Sequence, residues 1–307
     1  MSNLSLPNAQ RRNRPARSAW VKRLEPYLYI LPAVALVGIF LLYPMVFTLW
    51  QSFTDADGLR VPAFIGLANY KRLFGDPNFM LSLRNTLVWT VASVLLPVTL
   101  GFVFALNLNR VRGASLFKIG LYLPATVSAA AGGILFFFIF DPTAGVLNTL
   151  LRSLGLDNLT ARWLYDTPTN TYAMIAAYTW QATGLNMMLF LVGLQGLPQD
   201  PIEAAKIDGC DGWRLTLSII LPMLTPYIVI TSLLAAVNGF KVFDLIWVMT
   251  QGGPGRSSET LAVTMYREGF ILFNQGYSAA IAVIISLIAL MFSYLYLRSV
   301  LSQESQV

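Results

Sequence analysis

The chain has 307 residues, 56% of them hydrophobic and 12% charged, with a mean hydropathy of +0.60. Soluble domains carry about 25% charged residues, so a water-soluble globule is excluded. The formal charge of +6 leaves nucleic acid, an acidic surface or the cytoplasmic membrane leaflet as partners, and with no histidine and one cysteine, Cys210, an internal disulfide, a histidine triad or relay and a zinc finger are excluded.

Residues 1–26 form a basic tail holding Arg11, Arg12, Arg14, Arg17, Lys22 and Arg23, a composition that predicts disorder. No small-residue cleavage site accompanies the first apolar run, which therefore reads as an anchor rather than a removed signal peptide. A bilayer core is crossed by about 20 apolar residues in helix. Six runs reach that length, at 27–47, 85–106, 119–140, 172–194, 219–250 and 277–297. The predicted fold class is thus all-α, a polytopic membrane bundle of six transmembrane helices within residues 27–300, followed by a tail at 301–307. Pro32, Pro44, Pro97, Pro124, Pro222 and Pro226 lie inside these runs and predict kinks, because neighbouring helices in a bundle can re-satisfy the freed backbone groups. Between the third and fourth runs, Gly145 to Leu151 has the apolar spacing of a short helix, lying on the outer interface or serving as a packing connector.

With the basic tail in the cytoplasm, twelve cations face inward and eight outward, the eight being spread over the longer loops 51–84, 141–171 and 251–276. The positive-inside rule then puts both termini in the cytoplasm. Topology and anionic lipid account for the basic excess, and nucleic acid drops out as a partner. No internal repeat relates the two halves.

The segment at 198–222 stands apart. Between Glu203 and Arg214 it carries five charged residues, each of which would cost about 2.5–3.5 kcal/mol at mid-bilayer, so it belongs in water or against protein. Asp200 is the expected N-cap, Pro201 fits the first helical position, and Glu203 stands where a capping box reaches back. Gly209 ends that helix cheaply and turns the chain toward Trp213. The expected product is a helix, a turn and a second helix projecting from the membrane on the cytoplasmic side.

Glu203-Ala204-Ala205, then Gly209, then Ile219 and Leu221-Pro222 resemble the EAA loop of the membrane subunits of ATP-binding-cassette importers, matching at seven fixed positions. At residue frequencies of about 5–10%, a chance match at one start falls below roughly one in ten million. Thr250-Gln251-Gly252-Gly253-Pro254 resembles the T-x-G-G-P turn of carbohydrate-type permeases, and Asn85-Thr86, Tyr122-Leu123-Pro124 and Gly145-Val146-Leu147-Asn148 are similar to their lesser signatures. Cys210 departs from the usual alanine; both are small.

The resemblance implies a type I importer permease in a bacterial or archaeal plasma membrane. It implies that Glu203, Ala204, Ala205, Asp208 and Gly209 couple to a separate ATPase dimer, with a second homologous permease subunit, as a heterodimer, and an extracytoplasmic solute-binding protein as further partners. No G-x-x-x-x-G-K-[S/T] sequence occurs, so ATP and Mg²⁺ belong to the partner; this chain is expected to bind no cofactor or metal and to hold no catalytic residue. The resemblance to sugar permeases further implies a substrate pathway near Tyr178, Gln181, Ala182 and Leu185 of the fourth run and Asn238, Gly239 and Val242 of the fifth. Amides that donate and accept, and aromatic faces, suit a hydroxyl-rich solute, although each of these residues equally suits helix packing. Lys241 and Asp244, three apart on one predicted helix, form an expected local ion pair; Lys241 could otherwise reach the outer interface or an anionic solute such as glycerol 3-phosphate. An ion-coupled secondary transporter would need more embedded titratable groups than these two, and a membrane enzyme lacks histidine and clustered carboxylates.

Overall fold

The computed structural model describes residues 19–111 and 113–304. The predicted tail up to Ser18, Arg112 and the last three residues, Ser305 to Val307, lie outside the described residues.

The first unit ends at Thr48 and the second begins at Leu49. The helical run α1 (Ala19–Val37) passes through a widened π turn, Gly38–Leu42, into α2 (Tyr43–Gln51). That turn ends two residues before Pro44, whose ring would clash with the carbonyl four residues back, that of Phe40 within the turn, in a regular helix. Tyr29–Gln51 is long and apolar enough to cross a bilayer.

In the second unit, α3 (Ala68–Gly75) leads to α4 (Pro77–Arg110), 34 residues long. The α4 helix begins eight residues before its predicted start because Asp76 caps it: its carboxylate accepts from the Asn78 N–H at 2.9 Å, and Pro77 occupies the first turn, where its missing N–H is harmless. The third predicted run is not one helix. The α5 helix (Ser115–Tyr122) tightens into a 3₁₀ turn at Leu123–Thr126 around Pro124, and α6 (Ala129–Ile139) leaves at 100° to it. Ser128 caps α6 through the Ala131 N–H. The short helix expected in the next loop is α7 (Val146–Ser153).

The α8 helix (Thr169–Gln195) packs along α4, where Phe102 meets Phe190 and Trp89 meets Tyr178 edge to face, with centroids 5.4 and 5.8 Å apart. Its Thr179, Thr183 and Asn186 are buried, as suits a helix enclosed by others rather than bathed in lipid. After α9 (Asp200–Ile207), the fifth predicted run is broken twice. Entered through α10 (Gly212–Leu215) and a π turn at Thr216–Ile220, it holds α11 (Leu221–Met223), a 74° bend, then α12 (Thr225–Phe240) and, past a second break, α13 (Asp244–Thr250). Pro222 and Pro226 flank the bend at Leu224. Finally α14 (Leu261–Tyr266) and a π turn at Arg267–Ile271 lead into α15 (Gln275–Glu304).

Among the described residues three helices are long and apolar enough to span a membrane, or up to five when each bent pair is one span. Six apolar runs were expected; the 27-residue α8 is not among these five.

Candidate functional site

The charged segment folds as the expected helix, turn and helix, with one change at its start. The cap of α9 is Gln199, and Asp200 and Pro201 are its first helical residues; no side chain caps the end. The helical ladder starts there, the Glu203 N–H donating to the Gln199 carbonyl at 2.9 Å. The capping box is therefore not formed, and among the described residues the exposed Glu203 carboxylate has no hydrogen bond or ion pair.

The far end follows the sequence closely. Gly209 adopts φ +77°, the Cys210 N–H donates to the Ala205 carbonyl at 2.9 Å, and the Gly209 N–H donates to the Lys206 carbonyl at 3.0 Å. This is the Schellman arrangement, which satisfies the last carbonyls of a helix. Ala205 and Cys210 both pack against the apolar core containing Leu194, Leu215 and Leu224, so the cysteine replaces alanine without disturbing the turn. Ile202 is buried in that core, whereas Glu203, Ala204, Lys206 and Asp208 are exposed. A cleft of about 440 Å³ separates knob and body, bordered by Asn109, Leu197, Lys206 and Asp211. The result is a charged projection fastened on one face by Ile202 and Ala205.

The residues of the predicted pathway are only partly brought together. Half-buried Tyr178 stands edge to face on Trp89, while Gly239 is buried so close to Ser93 and Thr90 that a Cβ there would overlap them, the nearest atom lying at 2.5 Å. Both lean on one turn of α4. The Trp89 indole N–H is buried with no hydrogen-bond partner among the described residues. Gln181 donates its amide to the Val127 carbonyl at 2.6 Å, pinning the break between α5 and α6. Ala182 is half-buried, its carbonyl accepting from Asn186, and Val242 is buried, its carbonyl accepting from Thr260. Leu185 and Asn238 face outward.

The expected pair of Lys241 and Asp244 is not formed. Lys241 terminates α12 and Asp244 opens α13, with Phe243 at φ −136°, ψ −62° between them, so the two do not share a helix face. The ion pairs among the described residues do not include either side chain.

Sequence reasoning missed a polar knot around the T-x-G-G-P turn. Fully buried Glu259 accepts from Arg256 at 2.9 Å, from Arg267 at 2.5 Å and from Thr264 at 2.8 Å. Arg267 also donates to the Gln251 carbonyl, Asn170 to the Gly253 carbonyl, and Asn85 to the Ser257 and Glu259 carbonyls. Thr86 receives the Leu261 N–H. The signatures Asn85-Thr86 and Asn148 could have signalled this structural role: Asn148 is buried and ties the Pro142 and Ala161 carbonyls to the Trp163 indole.

The chain matches the family described as binding-protein-dependent transport system inner membrane component over residues 97–304. It is 40% identical over 278 residues to a probable ABC transporter permease of Pyrococcus horikoshii, covering 88% of this chain and 95% of the relative. It is 33% identical to the sn-glycerol-3-phosphate transport system permease protein of Agrobacterium fabrum (87% and 92% covered) and 32% identical to the arabinooligosaccharides transport system permease protein of Bacillus subtilis (95% and 94%). Among solved structures, a chain of a bacterial alginate ABC transporter in complex with its alginate pentasaccharide-bound periplasmic protein shares the fold. The TM-score is 0.79 at 22% identity, covering 91% of this chain and 96% of that one.

Proposed function

The chain belongs to the binding-protein-dependent transport system inner membrane components, and we propose that it is the permease subunit of an ATP-binding-cassette importer moving a sugar or oligosaccharide inward. The observation that carries this reading is the knob at α9. Its exposed Glu203, Ala204 and Asp208 and its Schellman turn at Gly209 form a preset surface on which a partner can push, while Ile202 and Ala205 fasten it to the core. Motion of the knob would pass through the π turn at Thr216–Ile220 to the bend at Leu224 and so to α12. ATP and Mg²⁺ sit on a separate ATPase dimer, a second, non-identical permease subunit completes the pathway, and a binding protein delivers the solute outside. The α8 helix is the sixth span, and both termini lie in the cytoplasm of a bacterial or archaeal cell, in keeping with the cation density of the loops.

The solute class is supported by the arabinooligosaccharide relative and by the chemistry of the proposed pathway, Tyr178, Gln181, Ala182, Leu185, Asn238, Gly239 and Val242. A polyol phosphate is the second reading, favoured by the glycerol-3-phosphate relative and by Lys241, which is left without the Asp244 carboxylate that would have neutralised it. An ion-coupled carrier is not favoured by the family.

The test is reconstitution of the permease pair in vesicles with its ATPase. ATP hydrolysis should rise when a binding protein loaded with an oligosaccharide is added, and Glu203→Lys or Gly209→Asp should uncouple hydrolysis from uptake while leaving membrane insertion intact. Uptake driven by an ion gradient with no ATPase present would overturn the reading.

A further inference from the structure

Buried hydroxyls in this bundle mostly satisfy themselves. Thr86 and Thr90 of α4 and Thr179 and Thr183 of α8 each donate to the carbonyl four residues back on their own helix, at 2.6–2.8 Å. Among the described residues three buried side-chain groups break that habit: the Trp89 indole N–H, the Ser93 hydroxyl and the Thr231 hydroxyl have no partner. A hydroxyl can turn back onto its helix, but the indole N–H is fixed in the ring plane and can only donate. Trp89 and Ser93 stand four residues apart on α4 and so share a face. Against them lies Tyr178 of α8, edge to face on the indole, its hydroxyl turned toward Ser93 without closing a hydrogen bond. Gly239 of α12 completes the cluster, its missing side chain leaving room for the Ser93 hydroxyl. Tyr178 is only half-buried, so the cluster reaches out of the core. An unpaired polar group deep in a spanning helix is costly, and its presence points to a partner that arrives from elsewhere.

We propose that Trp89 and Ser93 form an α4 wall of the solute site, the indole N–H donating to an oxygen of a neutral, hydroxyl-rich solute and the Ser93 hydroxyl pairing beside it. This rests on the importer reading above and narrows its solute class. Trp89, Thr90, Ser93, Tyr178 and Gly239 carry no charge, and a phosphate brought among them would lose its hydration with no cation beside it. Thr231, two turns or about 12 Å along α12 from Gly239, lies outside this cluster and serves as the comparison.

The experiment takes the permease pair with its ATPase in nanodiscs, carrying fluorotryptophan, and titrates neutral oligosaccharides and glycerol 3-phosphate. Binding is followed by calorimetry, and Trp89 by the fluorine resonance that Trp89→Phe deletes. The neutral oligosaccharide that stimulates ATP hydrolysis through its binding protein should move that resonance, and Ser93→Ala should weaken its binding about 3- to 10-fold. The melting temperature of Ser93→Ala should be no lower than that of wild type, because the hydroxyl bonds nothing within the fold. Thr231→Val should match that melting behaviour and leave binding unchanged. Unchanged affinity in Ser93→Ala and an unmoved resonance, in a complex that the same solute still drives, would overturn the site and leave the importer reading intact. A resonance moved by ATP alone and not by solute would give the indole a partner in another conformation and overturn the site equally. Tighter binding of glycerol 3-phosphate than of any neutral sugar would overturn the neutral class. No solute-responsive hydrolysis in wild type would remove the importer reading and this site together.

Discussion

Glu203 in α9 and Glu259 before α14 are both glutamates of an oily chain, and burial sets them apart. Glu203 is exposed and uncommitted; Glu259 is fully buried and shared between Arg256 and Arg267. Deleting one partner of a buried ionic cluster strands the others, so Glu259→Ala should cost about 3–5 kcal/mol, read as a large fall in melting temperature in detergent, and Glu259→Gln should cost less. Asp76 carries a pH dependence. Burial alone would raise its carboxyl, but the Tyr277 hydroxyl at 2.7 Å, the Asn78 N–H and the Arg256 and Arg72 charges together hold it below its ordinary 3.8. The folded value being the lower one, Asp76 stabilises above 3.8, and that contribution is lost as pH falls through the folded value. Melting curves of wild type and Asp76→Asn should therefore differ at neutral pH and converge in strong acid. Gly209 was legible in the sequence because a turn conformation is set over a few residues, whereas the capping box expected of Glu203 is not formed. Glu259 was not legible, since its partners Arg267, Asn85 and Thr264 acquire meaning only once the chain is folded.

At the scale of helices, the prolines announced kinks but not where the chain would break. Pro124 sits within a 3₁₀ turn and the chain then turns through 100°; Pro222 and Pro226 bracket a 74° bend. Such breaks free carbonyls inside the membrane region, and each needs a donor from elsewhere. Gln181 is that donor for Val127. Gln181→Leu should leave the carbonyl unpaired and cost about 1–3 kcal/mol, measurable as a drop in melting temperature with no solute present; an unchanged melting temperature would refute this structural role. Gly239 makes the complementary point about packing: Gly239→Val would drive side-chain atoms into Ser93 and Thr90 of α4 and should cost about 1–3 kcal/mol. The early start of α4 was readable in principle from Asp76-Pro77, a cap and a first-turn proline, but a search for apolar length passes over it.

For the molecule as a whole, the chain is a binding-protein-dependent transport system inner membrane component, and the function proposed for it assigns ATP hydrolysis to a separate subunit. Purified alone it should show no ATP hydrolysis, and hydrolysis responsive to loaded binding protein should appear only when permease pair and ATPase are combined, a comparison made by phosphate release from the separate and joined components. The sequence by itself determined the membrane class, the apolar runs, the water-facing segment at 198–222 and its closing glycine, because transfer free energy and turn preference accumulate residue by residue. Only the tertiary structure decided where those runs break, that Lys241 and Asp244 part company across a helix end, and that Asn85, Asn170, Arg267 and Glu259 converge on one loop. The reason is physical: these outcomes depend on which distant backbone groups and charges come within bonding distance, and in the Asn85 contacts those lie more than 170 positions apart.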